Sequence, residues 1–199
     1  MPRRRSNQLG VPEARGRILA ATVEAMGSAS AKGLTIEAVA RRAGCAKGLV
    51  NYHFKTKAAL FSAAAERLWD DRVTAWQAAL ERKDPTQAIN AGWGLVGNEA
   101  RSGVTRACNE LASGFGDMVD RTVSKQRKRF IELLAHELTG LFRRMAMIPT
   151  VPTADLAALL AAAIEGLAIQ MAGGIEEDQL EPAWSAFWAG MLSLTRPIR

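Results

Sequence analysis

Four side chains with hydrogen-bonding or ring groups lie within seven residues of each other, namely Lys47, Asn51, Tyr52 and His53. An asparagine amide can pair with adenine through two hydrogen bonds, and a lysine ammonium can donate to guanine or to a phosphate. Tyr52 is the only tyrosine of the chain, which weakens its interpretation as one core aromatic among many. His53 suits a nucleic-acid contact and a packed interior position equally well. Side chains of these types are able to contact the bases and phosphates of a nucleic acid when a helix presents them together.

The segment around these residues has the spacing of two short helices joined at a glycine. Val39, Ala43 and Val50 are apolar at helical intervals, and Gly44 can adopt the positive φ that a tight turn between helices requires. In a helix-turn-helix of this kind the second helix enters the major groove. A plain helical hairpin without nucleic acid has the same spacing, so both interpretations stay open at this point.

Two further residues, Thr35 and Lys57, lie at the starts of predicted helices, where backbone N–H groups and the helix dipole favour a phosphate. Gly48 has no side chain and lets the DNA backbone approach closely. The basic segment 3–5 could reach a minor groove, and non-specific attraction explains it equally well. The predicted DNA-binding residues are Thr35, Ala46, Lys47, Gly48, Leu49, Asn51, Tyr52, His53 and Lys57.

Other motifs do not support a catalytic function. Gly92, Gly94 and Gly97 match the spacing of a dinucleotide fingerprint, but that fingerprint requires a preceding strand and a βαβ unit. His136 has no acidic or thiol neighbours at ligand spacing, and the basic run 125–129 is typical of a solvated helix face. No serine or cysteine has an evident base partner. We therefore predict no enzyme activity, no cofactor and no metal site.

The basic residues are concentrated near the N-terminus. Residues 1–57 hold 11 Lys or Arg and three Asp or Glu, a net charge of +8, whereas residues 58–199 hold 15 and 17, a net charge of −2. Such a division suggests a head that binds a polyanion and a body with another task. Composition alone favours a merely cationic solvated surface to the same degree.

The elements that must position these residues are helices. The 199 residues include 36 Ala and 20 Leu against 10 Val and 9 Ile, which favours helix over sheet. The longest apolar run, 156–164, is far shorter than the roughly 20 residues of a spanning helix. With two cysteines and no leader-like N-terminus, the sequence predicts a soluble, reduced, cytoplasmic protein that binds no membrane.

Periodicity and capping residues place about nine helices in an all-α fold. A basic arm over residues 1–12 precedes a head over 13–60 and a body over 61–199. The head contains three helices, two of which form the helix-turn-helix. The predicted helices are 13–31, 36–44, 46–54, 57–82, 86–101, 104–115, 117–146, 154–173 and 181–196.

In its first third the sequence resembles the tetracycline-repressor (TetR) family of bacterial transcriptional regulators. The residues that carry the resemblance are 18–21, 34–40, 43–48 and 52–61, about 50 residues in order and in register. Ala46 departs from the family pattern because it replaces the usual hydroxyl cap of the recognition helix. Asn51 stands at the position where the family most often has tyrosine, and Tyr52 follows it.

The resemblance implies a C-terminal helical bundle for ligand binding and dimerisation, in which an effector changes the spacing of two DNA-binding heads. Aromatic and methionine side chains of the body are core residues by default, and a few polar groups among them suit a small, mostly apolar effector. The predicted pocket residues are Trp76, Asn90, Trp93, Phe115, Met118, Gln126, Phe130 and Gln170.

Spacing in the last two predicted helices indicates a four-helix bundle between two subunits. Large apolar residues recur at three- and four-residue intervals in both helices, and closure of the monomer core by the same stripes stays open. The predicted interface residues are Leu156, Leu160, Ala163, Leu167, Met171, Trp184, Phe187, Trp188 and Met191.

The sequence thus predicts a homodimeric repressor that binds palindromic double-stranded DNA and is released by a small molecule. Two alternatives remain open. One is a DNA-binding regulator that responds to no effector, and the other is a helical enzyme or carrier with a basic head.

Overall fold

A computed structural model describes residues 11–28 and 33–198. These residues form nine α-helices and one two-stranded antiparallel sheet, so the predicted all-α class is confirmed. The helices are α1 (Val11–Ser28), α2 (Ile36–Arg42), α3 (Lys47–His53), α4 (Lys57–Leu80), α5 (Pro85–Arg101), α6 (Val104–Leu111), α7 (Asp117–Arg144), α8 (Thr153–Ala172) and α9 (Glu177–Ser193), and the strands are β1 (Met147–Pro149) and β2 (Thr195–Pro197).

The head consists of α1, α2 and α3 packed around a small apolar core. Ile18, Val39 and Val50 are each at most 1% exposed and hold the three helices together. Gly44 has φ +63°, and the N–H of Cys45 donates to Ala40 O at 2.9 Å, which closes the turn between α2 and α3. The tight glycine turn predicted from the sequence is therefore present.

The body is built on α4, which packs along α7, while α8 packs against α7 and α5. Trp69 and Trp76 on α4 and Phe130 on α7 lie in its core, with Trp69 and Phe130 5.7 Å apart between ring centroids. Because α4 continues unbroken through residues 60 and 61, the head and the body share a helix. Movement of α4 therefore affects both parts.

By length and composition alone, α8 could cross a membrane, with a mean hydropathy of 1.5. Leu156, Leu160 and Ile164 on this helix are buried, and the helix packs against α7 and α5. Of this helix 39% is buried inside the structure, and a single helix of this length and composition is weak evidence for a membrane span.

Three features differ from the sequence prediction. The helix predicted over 104–115 ends at Leu111. The helix predicted from residue 181 begins at Glu177 and passes through Pro182. A proline lacks the N–H for one helical hydrogen bond, but burial of Leu180 and Trp184 on either side keeps the helix continuous. Strand β1 pairs with β2, and Ile148 lies opposite Arg196. The two strands have three residues each and lie far apart in the sequence, so no local sequence pattern predicted the sheet.

The fingerprint-like glycines lie inside α5, not after a strand. A Cβ on Gly92 would lie 3.3 Å from ring atoms of both Trp76 and Trp184. This glycine therefore makes room for two indole rings, and the strand that a dinucleotide fingerprint requires does not precede it.

The core of the body contains a buried ion pair between α4 and α5. Arg72 Nε donates to Glu99 Oε1 at 2.8 Å, and Trp76 Nε1 donates to the same oxygen at 2.7 Å. Both charged side chains are at most 7% exposed. A buried pair of this kind depends on mutual neutralisation, since either charge alone would be costly in the core.

Candidate nucleic-acid interface

The exposed side of α3 carries the predicted groove-facing residues. Lys47, Gly48, Asn51 and Tyr52 are exposed, while Val50 on the opposite side is fully buried and anchors the helix. Residues at these intervals share one face of a helix. Tyr52 as a whole residue is 63% exposed, which is unusual for a large aromatic residue and leaves it accessible to a partner.

A lysine that the sequence analysis counted only in the total charge lies beside this tyrosine. Lys55 Nζ is 5.6 Å from the Tyr52 ring centroid, within the range of a cation–π interaction. Together the two side chains present an aromatic surface and a positive charge at the C-terminal end of α3. The turn that follows α3 brings them together, because Lys55 lies two residues beyond the end of the helix.

His53 is half-buried between two rings. Its centroid lies 5.3 Å from that of Tyr52, in an edge-to-face arrangement, and 6.2 Å from that of Phe54. Its Nε2 is buried and has no hydrogen-bond partner within residues 11–28 and 33–198. The ring therefore supports Tyr52 by packing.

Lys47 is held by an ion pair with Glu37 on α2. Hydrogen bonding from the Lys47 ammonium lowers the pKa of the Glu37 carboxyl. Both side chains are about half exposed, so the pair remains open to solvent. A phosphate or a guanine would compete with Glu37 for the Lys47 ammonium. The sequence pattern did not predict the ion pair between Lys47 and Glu37.

The helix N-termini near α3 are capped unequally. Thr35 Oγ1 accepts from Ala38 N at 3.1 Å, and Thr56 performs the same role for α4. Ala46 occupies the N-cap position of α3 with extended backbone angles and offers no side-chain cap. Lys57, the first residue of α4, is exposed with its Nζ 5.1 Å from the Phe61 ring centroid.

Restoring the missing cap provides the first prediction. Ala46→Ser should stabilise the protein by about 0.5–2 kcal/mol, because φ −73° and ψ 144° already suit a capping serine. Urea unfolding followed by circular dichroism measures the change. Ala20→Ser, at an exposed interior position of α1, is the matched control and should not stabilise. Equal effects of the two substitutions would contradict the capping assignment.

Further basic side chains surround α3. Arg15 lies 5.4 Å from the Phe54 ring centroid, and Arg42 pairs with Glu24 at 3.3 Å. Cys45, in the turn between α2 and α3, is half-buried; burial raises the pKa of its thiol while the charge of Arg17 opposes that rise. The basic segment 3–5 lies outside the described residues.

The predicted effector residues do not gather around one cavity. Trp76, Gln126 and Phe130 are buried, Trp93 and Phe115 are half-buried, and the other three residues of the set are exposed. Phe130 contributes to a groove of about 250 Å³ between α4, α7 and α8. Trp93 instead packs on Trp184, and Phe115 on Phe61. The exposed members of the set are Asn90, Met118 and Gln170.

The large residues predicted for a subunit interface mostly point into the chain itself. Six of the nine are buried, and Ala163, Met171 and Phe187 keep part of their surface accessible. The opposite faces of α8 and α9 are exposed and consist chiefly of small or aliphatic residues. These faces include Leu159, Ala162 and Ile169 on α8, with half-buried Gly166 between them, and Ala183, Ala186, Gly190 and Ser193 on α9.

The structure also places the basic run 125–129 and His136, which the sequence analysis considered. Arg127 and Arg129, in the basic run of α7, pair with Glu165 and Asp70 respectively. His136 is exposed, and no group of three metal-ligating side chains occurs in the part of the chain that the structure describes.

Comparison with known proteins identifies both the head and the overall fold. Residues 18–64 match the family model of bacterial regulatory proteins, tetR family. A transcriptional regulator from Rhodococcus sp. Rha1 is 24% identical, with 91% of this chain and 97% of that chain covered and a TM-score of 0.72. A TetR transcription regulator from Haloarcula marismortui is 16% identical, with 93% and 100% covered and a TM-score of 0.73.

A third solved structure belongs to NalD, the secondary repressor of the MexAB-OprM multidrug efflux pump in Pseudomonas aeruginosa. It is 18% identical, with 93% of this chain and 96% of that chain covered and a TM-score of 0.62. At these identities the likeness of the three structures is one of fold. No curated protein matches the sequence significantly.

Proposed function

Because the chain belongs to the TetR family of DNA-binding transcription regulators, we propose that it is a homodimeric repressor. It binds a palindromic operator and is released by a small, mostly apolar molecule. The observation that carries this proposal is the exposed row of Lys47, Gly48, Asn51 and Tyr52 on α3, held in place by buried Val50. In this assignment residues 13–60 contact DNA, and residues 61–199 form the dimer and bind the effector.

The row on α3 supports reading of the major groove. Asn51 can pair with adenine, and Tyr52 offers a ring edge for a thymine methyl and a hydroxyl for hydrogen bonding. Lys55 and Lys57 flank the helix and suit phosphates, which set the register of the protein on the duplex. Thr35 adds the N-terminus of α2 as a further phosphate contact.

The exposed faces of α8 and α9 support dimer formation. Leu159 and Ile169 are 48% and 47% exposed, and the small residues beside them allow close approach of another helix. Packing of these faces about a two-fold axis would form a four-helix bundle and present two copies of α3 to successive major-groove segments. Ala163, Met171 and Phe187, which keep accessible surface, would contribute at its edge.

A close backbone contact supports coupling between the body and the head. A Cβ on Gly27 of α1 would lie 2.8 Å from Gly103 O, at the start of α6. Two helices that touch through backbone atoms have no soft side chains to absorb a displacement. A shift of α6 on effector binding would therefore move α1 and change the spacing of the two heads.

Operator binding by the full-length protein tests the proposed function. Selection from a random duplex pool should enrich one palindrome, and the affinity for it should fall steeply with salt. A helical enzyme or carrier would enrich no sequence. A regulator without an effector would enrich a palindrome, but no small molecule would change its affinity. Since the proposed function is regulation through DNA binding, we also propose that the protein is cytoplasmic and has no enzyme activity.

A pair of substitutions separates base reading from phosphate binding. Tyr52→Ala should weaken binding to the selected palindrome by roughly 1–3 kcal/mol and leave non-specific binding nearly unchanged. Lys57→Ala should weaken binding to all sequences and lower the slope of log K against log salt by about one. Fluorescence anisotropy at several salt concentrations measures both. Unchanged palindrome affinity in Tyr52→Ala would refute the groove-facing assignment.

A further inference from the structure

An ion pair joins the first turns of the two helices that form the helix-turn-helix. Glu37 is the second residue of α2, Lys47 is the first residue of α3, and their side chains are paired. Val39 on α2 and Val50 on α3 are fully buried and fix the two helices in the small core of the head. The ion pair therefore lies on the outer surface of the head, at the start of the exposed row of α3.

The Glu37 carboxylate is held in place by its neighbours. A hydrogen bond from Lys47 is the largest cause that lowers the pKa of this carboxyl, and a hydrogen bond from the Thr35 hydroxyl lowers it further. The first turn of α3 has no acidic residue, and Ala46 provides no side-chain cap. Because a helix dipole disfavours a cation at the N-terminal end, Glu37 supplies from α2 the negative charge that Lys47 lacks within its own helix.

Both side chains keep hydrogen-bonding capacity on the solvent side. Each of them is 55% exposed. An ammonium group has three donors and an ionised carboxylate has about four acceptor sites, so one ion pair uses only part of each group. The pair thus presents positive donors directly beside negative acceptors.

This arrangement is complementary to the major-groove edge of a G·C base pair. Guanine presents two neighbouring acceptors, N7 and O6, and the cytosine N4 amino donor lies next to O6. A lysine suits the guanine acceptors, and a glutamate accepts from the cytosine amino group. An A·T pair presents one acceptor on each side of the adenine amino group and adds the thymine methyl, so the Lys47 ammonium would find no two neighbouring acceptors there.

A DNA phosphate is a poorer partner for the same pair. It accepts from Lys47, but it has no donor for Glu37 and places a like charge beside the carboxylate. A G·C pair replaces the contact that Lys47 leaves, because the cytosine amino group donates to Glu37. The ion pair therefore weakens phosphate binding through Lys47 without the same penalty for binding to G·C.

We propose that Glu37 and Lys47 together contact one G·C base pair in each half of the operator, with the Lys47 ammonium on guanine and the Glu37 carboxylate on the cytosine amino group. The inference rests on the proposed function, since it names a base pair of the operator that the head binds. It adds an acidic residue to a surface whose predicted DNA-binding residues are all neutral or basic.

Affinities of the full-length protein for symmetric base-pair changes in the selected palindrome test the assignment. For the unmodified protein, replacing one particular G·C pair by A·T in both halves should weaken binding about fivefold or more. In Glu37→Ala and in Lys47→Ala this penalty should fall at least about threefold, at the same position of the half-site. Fluorescence anisotropy measures each affinity. A penalty that persists in either variant, or that falls at different positions in the two, would overturn the proposal.

Binding to a duplex of random sequence provides a readout that a purely structural ion pair would not move in the same direction. Glu37→Ala should strengthen this binding about threefold or more and steepen the slope of log K against log salt by about one, because Lys47 becomes available to a phosphate. Loss of a merely structural contact would weaken binding to every duplex. Unchanged or weaker non-specific binding by Glu37→Ala would therefore contradict the assignment.

The matched control is Glu24→Ala, which removes the exposed ion pair of Glu24 with Arg42 between α1 and α2. It changes the charge of the head by the same amount as Glu37→Ala, so it should keep the full penalty at the G·C position. Loss of that penalty in Glu24→Ala would attribute the effect to the charge of the head and refute a contact by Glu37.

Failure of this inference and failure of the proposed function give different results. An enriched palindrome whose G·C penalties all survive in Glu37→Ala and Lys47→Ala leaves the regulator and refutes the joint contact. A protein that enriches no sequence refutes both.

Discussion

Ala186→Glu should convert the proposed dimer into a monomer and lower affinity for the selected palindrome by about 10²–10⁴-fold, because two linked heads become one. Ala186 lies on the exposed small-residue face of α9. A carboxylate there stays hydrated in a free protomer, but it would be desolvated in a close helix–helix contact and would repel its symmetry mate. Sedimentation velocity should show the mass falling from twice 21.5 kDa to 21.5 kDa.

The control for this experiment is Ala78→Glu, the same change at an exposed position on α4. It should leave both the mass and the palindrome affinity unchanged. Circular dichroism should show that both variants stay helical, since neither position is in the core. A dimeric Ala186→Glu protein with unchanged operator affinity would refute the α8–α9 interface.

Glu99→Ala should destabilise the protein by about 3–5 kcal/mol, because it leaves the Arg72 guanidinium as an uncompensated buried charge. The loss is a large fraction of the roughly 5–15 kcal/mol that stabilises a typical domain. It also removes the acceptor of the Trp76 indole N–H. Denaturant unfolding at a fixed protein concentration, followed by tryptophan fluorescence, measures the change.

Two companion variants isolate the cause. The double substitution Arg72→Met with Glu99→Leu should be clearly less destabilised than Glu99→Ala, since removal of both charges leaves nothing unpaired. Asp70→Ala breaks the exposed pair with Arg129 and should cost less than about 1 kcal/mol. A double variant as unstable as Glu99→Ala would show that lost packing, and not the orphaned charge, is responsible.

The head was predictable from the sequence because its signals are local. Gly44 marks the turn, Thr35 marks a helix start, and Val39 and Val50 mark the buried side of two short helices. Once Val50 points inward, helical geometry alone places Gly48 and Tyr52, two residues before and two after it, outward. The pairing of Lys47 with Glu37 and of Lys55 with Tyr52 was not predictable, because each joins residues of different elements.

The body was predictable in its helices but not in their packing partners. Helix α8 is apolar on nearly all sides, so its pattern could not distinguish the face that closes the monomer core from a face left for a partner. The structure turns Leu156 and Leu160 inward and leaves small residues outside, together with Leu159 and Ile169. The physical reason is that large side chains bury more apolar area against α5 and α7 than alanine or glycine can.

The sequence by itself determined the all-α class, the helix-turn-helix and the exposed row on α3, since each depends on residue type and on spacing within one or two turns. Only the tertiary structure decided the Arg72–Glu99 pair and the contact of Gly27 with Gly103. These features bring together residues 27 to 76 positions apart in the chain. Their formation depends on how whole helices pack, and composition and periodicity specify the buried face of a helix without specifying its neighbour.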